Sequence, residues 1–120
     1  VDDERDVKDL FEQRFRKEIR IGEMVFDFAF SAEEAQLYLA DIDVKSMLVL
    51  SDINMPGMSG LDLLKWIKNR YEIPPPVVMM ITAYGDQKNY NEAINLGADD
   101  FLTKPLDFQI LKEKLKTMLL

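Results

Sequence analysis

Two adjacent carboxylates (Asp2, Asp3), a third at Asp52, the Thr82 hydroxyl and the Lys104 ammonium are the groups whose types and spacing suggest chemistry. Each stands at the end of a short apolar or β-rich run, if Val1 is taken as the last residue of one such run. Three carboxylates gathered in one place repel and raise one another's pKa. A hard divalent cation relieves that repulsion, and an all-oxygen ligand set suits Mg²⁺. Asp2, Asp3, Asp52 and the backbone carbonyl of Asn54 are the candidate metal ligands. Lys104 and Thr82 would then face an anion, a phosphoryl group or its mimic. Asp52 is the natural nucleophile, because the stiff loop "SDINMPGMSG" (51–60) presents it directly after the apolar run 47–50. Taken singly, each residue has a commoner use: aspartates cap turns, threonines fill strands, lysines are solvated. The conjunction of all five is what points to a site.

The elements that must position these groups are legible from periodicity. Val7, Leu10, Phe11, Phe15 and Ile19 recur at helical spacing, so residues 4–20 read as an amphipathic helix. "MVFDFAF" (24–30) alternates and is aromatic, as a strand is. Ser31 with Glu34 forms a capping box for a helix to about Ala40. Residues 47–50 and 77–81 are continuous apolar runs, the mark of strands buried on both faces. Between them, residues 60–71 carry the stripe Leu61, Leu64, Ile67, Tyr71. Asp86 opens a helix that Gly97 ends; residues 100–103 form a short strand; Asp107 caps a last helix with Phe108, Leu111, Leu115 and Met118 facing inward. Alternating helices and strands with short links predict an α/β domain in three layers, a doubly wound parallel sheet with helices on both faces. The pattern calls for one more strand at its start, so the first strand is expected to be largely missing from the chain, with Val1 its last residue. In such sheets ligands sit beyond the carboxyl ends of the strands, where the five groups lie.

Composition narrows the function. The chain has 120 residues, 48% hydrophobic and 31% charged, which fits a single domain, 1–120. No cysteine and no histidine occur, which removes disulfides, thiolate and imidazole metal sites and the usual general base. A net charge of −7 argues against direct nucleic acid binding by this segment. No apolar run is long enough for a membrane helix and no targeting signal is visible, so the expected location is cytoplasmic.

"VDDE", "SDINMPGMSG", "ITAYG" and "GADDFLTKPL", in this order and at these separations, resemble the receiver domain of bacterial response regulators, CheY-like proteins of two-component signal transduction. The resemblance spans essentially the whole chain. It implies a flavodoxin-like five-stranded sheet of order 2-1-3-4-5, with the missing strand at its centre. It implies Asp52 as phosphoacceptor, Asp3 as a direct and Asp2 as a mainly water-mediated Mg²⁺ ligand, and the Asn54 carbonyl as a further one. Thr82 would hydrogen-bond the phosphoryl group and Lys104 would pair with its oxygens. Lys104-Pro105 matches a cis peptide position, Phe101 a switch aromatic, and Tyr84 a position tuning access to the phosphoryl group. The implied partners are a histidine kinase or histidine phosphotransfer protein, a second copy docking through the last two helices and the strand between them, and a fused effector domain outside the chain. The expected activity is self-catalysed phosphoryl transfer and slow aspartyl-phosphate hydrolysis, not turnover of a separate substrate.

Three rivals are weighed. A phosphatase of the haloacid dehalogenase type needs an acid two positions past its nucleophile, where this chain has Asn54. A nucleotide-binding domain needs a Gly-rich loop ending in Gly-Lys-Ser/Thr, which is absent. An interaction module of the same fold that works without phosphorylation does not require the five groups together.

Overall fold

Ser31 shows how local chemistry sets the elements. Its hydroxyl accepts from the Glu34 N–H at 3.0 Å, and the Glu34 carboxylate reaches back to the Phe30 N–H at 3.4 Å, so the helix α3 (Ala32–Ala40) begins where the capping signal placed it. The structure, a computed structural model, describes residues 1–41, 47–70, 76–83 and 85–119. Over these the order is α1 (Asp6–Arg14), α2 (Arg16–Arg20), α3, β1 (Leu48–Asp52), α4 (Gly60–Arg70), β2 (Val77–Thr82), α5 (Gln87–Asn95), β3 (Asp100–Thr103) and α6 (Phe108–Leu119). The three strands pair in parallel in the order β1-β2-β3, with Asp52 opposite Ile81 and Thr82 opposite Thr103.

Helices cover both faces of the sheet. On one side Ala32, Ala35 and Leu39 of α3, Leu61, Leu63, Leu64 and Ile67 of α4 and Ala93 of α5 pack on Val49, Val78 and Met80. On the other, Phe11, Phe15, Leu111 and Leu115 pack on Met79 and Leu102. Alternate β2 residues thus face opposite layers, the arrangement expected when helical connections cover both faces of a parallel sheet. Gly97, at φ +95°, closes α5 in the left-handed conformation that glycine adopts without a Cβ penalty.

Three expectations need correction. The helix expected over 4–20 is broken at Phe15, which leaves helical geometry (φ −107°, ψ 19°) to bury its ring completely. Leu10 and Ile19, placed on the inward stripe, are each more than a third exposed as a result. Residues 24–30 form no ladder: among the described residues the sheet has three strands, matching the 3-4-5 half of the expected order. The reason lies between this segment and β1. There a slot of about 560 Å³ is lined by Met24, Phe26, Phe28, Leu48, Leu50 and Val1, among others, so the segment has no strand beside it to pair with. Among the described residues Val1 and Asp2 bridge the gap: the Val1 ammonium donates to the Leu50 carbonyl at 2.6 Å, Asp52 N–H to the Val1 carbonyl at 2.9 Å, and Asp2 N–H to the Ala29 carbonyl at 3.1 Å. Tyr71, expected at the end of the α4 stripe, lies outside the described residues.

At the opposite end of the sheet Asp99 ties the start of β2. Its Oδ2 accepts from the Val78 N–H at 2.8 Å and from Lys68 Nζ at 2.7 Å, and Lys68 also reaches the Pro76 carbonyl at 3.1 Å. Val78 is buried, so Asp99→Ala strands its N–H and should cost about 1–3 kcal/mol in urea unfolding. Asp99→Asn keeps an acceptor and should cost less than half as much.

Candidate functional site

The groups singled out in the sequence meet at the carboxyl edge of the strands. Asp52 is the last residue of β1 and only 3% exposed. Its Oδ2 accepts from Lys104 Nζ at 2.8 Å, a contact across 52 positions of sequence. Asp2, Asp3 and Asp52 each offer a carboxylate oxygen, and these lie within 4.8 Å of one another. Thr82, the last residue of β2, is buried one step beyond Ile81, the partner of Asp52. Its carbonyl accepts from the Lys104 N–H at 2.9 Å, so the backbone carrying the lysine is tied to the strand carrying the threonine. The Lys104-Pro105 peptide is cis, as the sequence resemblance implied.

The electrostatics follow from this crowding. The hydrogen bond to Asp52 holds the Lys104 ammonium above the usual lysine range, despite partial burial, and the charges of Asp2 and Glu4 add to it. Burial is the first cause that pushes the Asp2 carboxyl up; a bond from the Glu4 N–H opposes it, and the nearby Asp52 charge adds to it. One lysine therefore stands against several carboxylates. A further positive charge is what the cluster lacks, and oxygen donors this close fit a hard divalent cation.

The remaining expected residues are placed less centrally. Asn54 is exposed in the loop after β1. Phe101 is half-buried on β3, its ring 4.5 Å from that of Tyr90. Tyr84 lies outside the described residues. Two contributors were missed. The buried Ser51 hydroxyl donates to the Asp52 carbonyl at 2.9 Å, and Gly60 packs directly on the backbone of Asp52 and Ile53 while its N–H donates to the Ile53 carbonyl at 2.8 Å. A serine beside the aspartate and a glycine at a helix start were visible, but neither spacing nor residue type says what they touch.

Comparison with known proteins gives a consistent picture. A family model described as the response regulator receiver domain matches residues 1–116. The response regulator protein PilR of Pseudomonas aeruginosa is 40% identical over 121 residues, covering 99% of this chain and 25% of PilR. Chemotaxis protein CheY1 of Helicobacter pylori is 38% identical over 82 residues, covering 66% of this chain and 64% of CheY1. The crystal structure of the receiver domain of NtrX from Brucella abortus superposes with a TM-score of 0.80 at 32% identity, covering 99% of this chain and 94% of that one. The chain thus spans about a quarter of the length of PilR and almost all of an isolated NtrX receiver domain.

Proposed function

The chain belongs to the response regulator receiver domain family, and from that premise we propose that Asp52 accepts a phosphoryl group from a phosphohistidine on a histidine kinase or phosphotransfer protein. The observation that carries this reading is the buried Asp52 carboxylate, bonded to Lys104 at 2.8 Å and clustered with Asp2 and Asp3. An Asp52 oxygen forms the new P–O bond while the donor's P–N bond breaks, the imidazole nitrogen keeping the electron pair. Such transfer needs alignment and charge neutralisation more than covalent help. β1 and its following loop aim the carboxylate, and Lys104 neutralises phosphoryl oxygens as they approach. Thr82 supplies a hydroxyl at the neighbouring strand end. Asp2, Asp3, Asp52 and the Asn54 carbonyl would hold Mg²⁺, which when bound supplies the remaining positive charge. With no histidine in the chain to activate water, hydrolysis of the acyl phosphate is slow.

The test is incubation with Mg²⁺ and a small phosphodonor such as acetyl phosphate, read by intact mass. One added phosphoryl group is expected; none on a folded chain would favour an interaction module that works unphosphorylated.

Mg²⁺ affinity should fall on acidification earlier than ordinary aspartates would dictate, because the Asp2 carboxyl takes up its proton at higher pH than usual and protons compete with metal. For metal-free stability the sign is opposite. A raised folded-state pKa penalises the native state above that pKa, and the penalty fades as pH falls toward the unfolded value of 3.8. Titration calorimetry with Mg²⁺ at a series of pH values reads the first effect; a pH-independent affinity would contradict it.

The output face is read as α5, β3 and α6. Tyr90, Ile94 and Ile110 are exposed apolar side chains on these helices, suited to docking a second copy or an effector in response to phosphorylation. Thr82 and Phe101 are the proposed switch residues. No helix among the described residues is long and apolar enough to cross a membrane, and a cytoplasmic location is proposed on family grounds.

A further inference from the structure

Tyr90 sits in the first half of α5 with its ring centroid 4.5 Å from that of Phe101 on β3, the two planes tilted by 45°. Both ends of this ring pair are wired to the site. On the α5 side, Tyr90 N–H donates to the Asp86 carbonyl at 3.1 Å, and Asp86 caps the helix through the Asn89 N–H at 3.3 Å and Nδ2 at 2.7 Å. Asp86 N–H in turn donates to the Ala83 carbonyl at 3.2 Å, directly after Thr82. On the β3 side, Phe101 pairs in register with Met80, and Lys104, three residues on, donates its N–H to the Thr82 carbonyl at 2.9 Å. Phe101 also packs against the core layer that contains Ala93 of α5.

A displacement of Ala83 toward an anion at Asp52 would be carried through the Ala83–Asp86 bond into the first turn of α5 and would shear the ring pair. Tilted aromatic pairs at this distance contribute beyond their buried area, so shearing opposes the displacement. We propose that Tyr90 is a positioning residue that holds Phe101 in the orientation seen here and thereby weakens binding of a phosphoryl group at Asp52. This rests on the reading of Asp52 as phosphoacceptor. A contact made only in one of two arrangements shifts their populations by its own free energy, and the ligand favouring the other arrangement binds correspondingly less well.

The experiment measures binding of beryllofluoride, a phosphoryl mimic, in the presence of Mg²⁺ by titration calorimetry. Tyr90→Ala should bind about three- to tenfold more tightly than the unaltered protein, the range a ring pair of this kind supports. Tyr90→Phe keeps the ring and should restore the original affinity within about twofold. That rescue separates positioning from loss of general packing. Tyr90 is 37% exposed, so its truncation is compatible with folding; were the alanine variant to unfold, Tyr90→Leu is read in its place and should also bind more tightly. Unchanged or weaker binding by the ring-less variant, with the unaltered protein binding normally, overturns the proposal alone. Absence of beryllofluoride binding by the unaltered protein overturns the phosphoacceptor reading and this proposal with it.

Discussion

Asp52→Asn should abolish phosphoryl incorporation while leaving the fold nearly as stable as before. The amide cannot act as the anionic nucleophile, and no other carboxylate is both buried at a strand end and bonded to Lys104 among the described residues. Stability responds in the opposite sense to intuition about a broken ion pair. Removing the Asp52 charge relieves repulsion with Asp2, and the freed Lys104 side chain, already 41% exposed, returns to water at little cost. The net change in urea unfolding should stay within about 1 kcal/mol. Lys104→Ala is the contrasting case, because it leaves the buried carboxylate without its cation. That variant should lose about 1–3 kcal/mol and, separately, transfer phosphoryl groups much more slowly. Phosphoryl labelling by intact mass and urea midpoints on both variants check the pair of effects. Labelling that persisted in Asp52→Asn would assign the acceptor elsewhere.

Of the alanine substitutions at the five glycines, Gly60→Ala should be the most damaging. A Cβ at Gly60 would lie 2.8 Å from the Asp52 carbonyl carbon and 2.9 Å from Ile53 Cα, closer than real Cβ contacts come. The obstacles are backbone atoms and cannot swing aside as the end of a side chain can. Either α4 backs away from β1, opening the layer that buries Leu61, Leu63 and Leu64, or the backbone carrying Asp52 is pushed out of line with Lys104. Overpacking costs about 1–3 kcal/mol where side chains can adjust, and the rigid contact here should exceed about 3 kcal/mol. The loss should appear as a lowered urea midpoint together with slower labelling of Asp52. A variant with unchanged midpoint and labelling would mean that the helix start does not hold the acceptor in place.

Much of this was legible in the residues alone, because the signals are local. The Ser31–Glu34 cap, the Asp86 cap, the apolar runs before Asp52 and Thr82 and the glycine after α5 each act within a few positions, so their elements stand where periodicity placed them. The reactive set was visible for a related reason: parallel strands gather their carboxyl ends on one edge, so strand ends can be listed without knowing their pairing. The tertiary structure decided what depends on distant chain. It bonded Lys104 to Asp52, set Gly60 against the Asp52 backbone and set the Tyr90 ring, tilted, against that of Phe101. It also ended the first helix so that Phe15 could be buried, and residues 24–30, with no described strand beside them, form no ladder. A strand is completed by hydrogen bonds to a neighbour rather than within itself, so its existence depends on what lies beside it, whereas a helix closes its own bonds and its caps announce it.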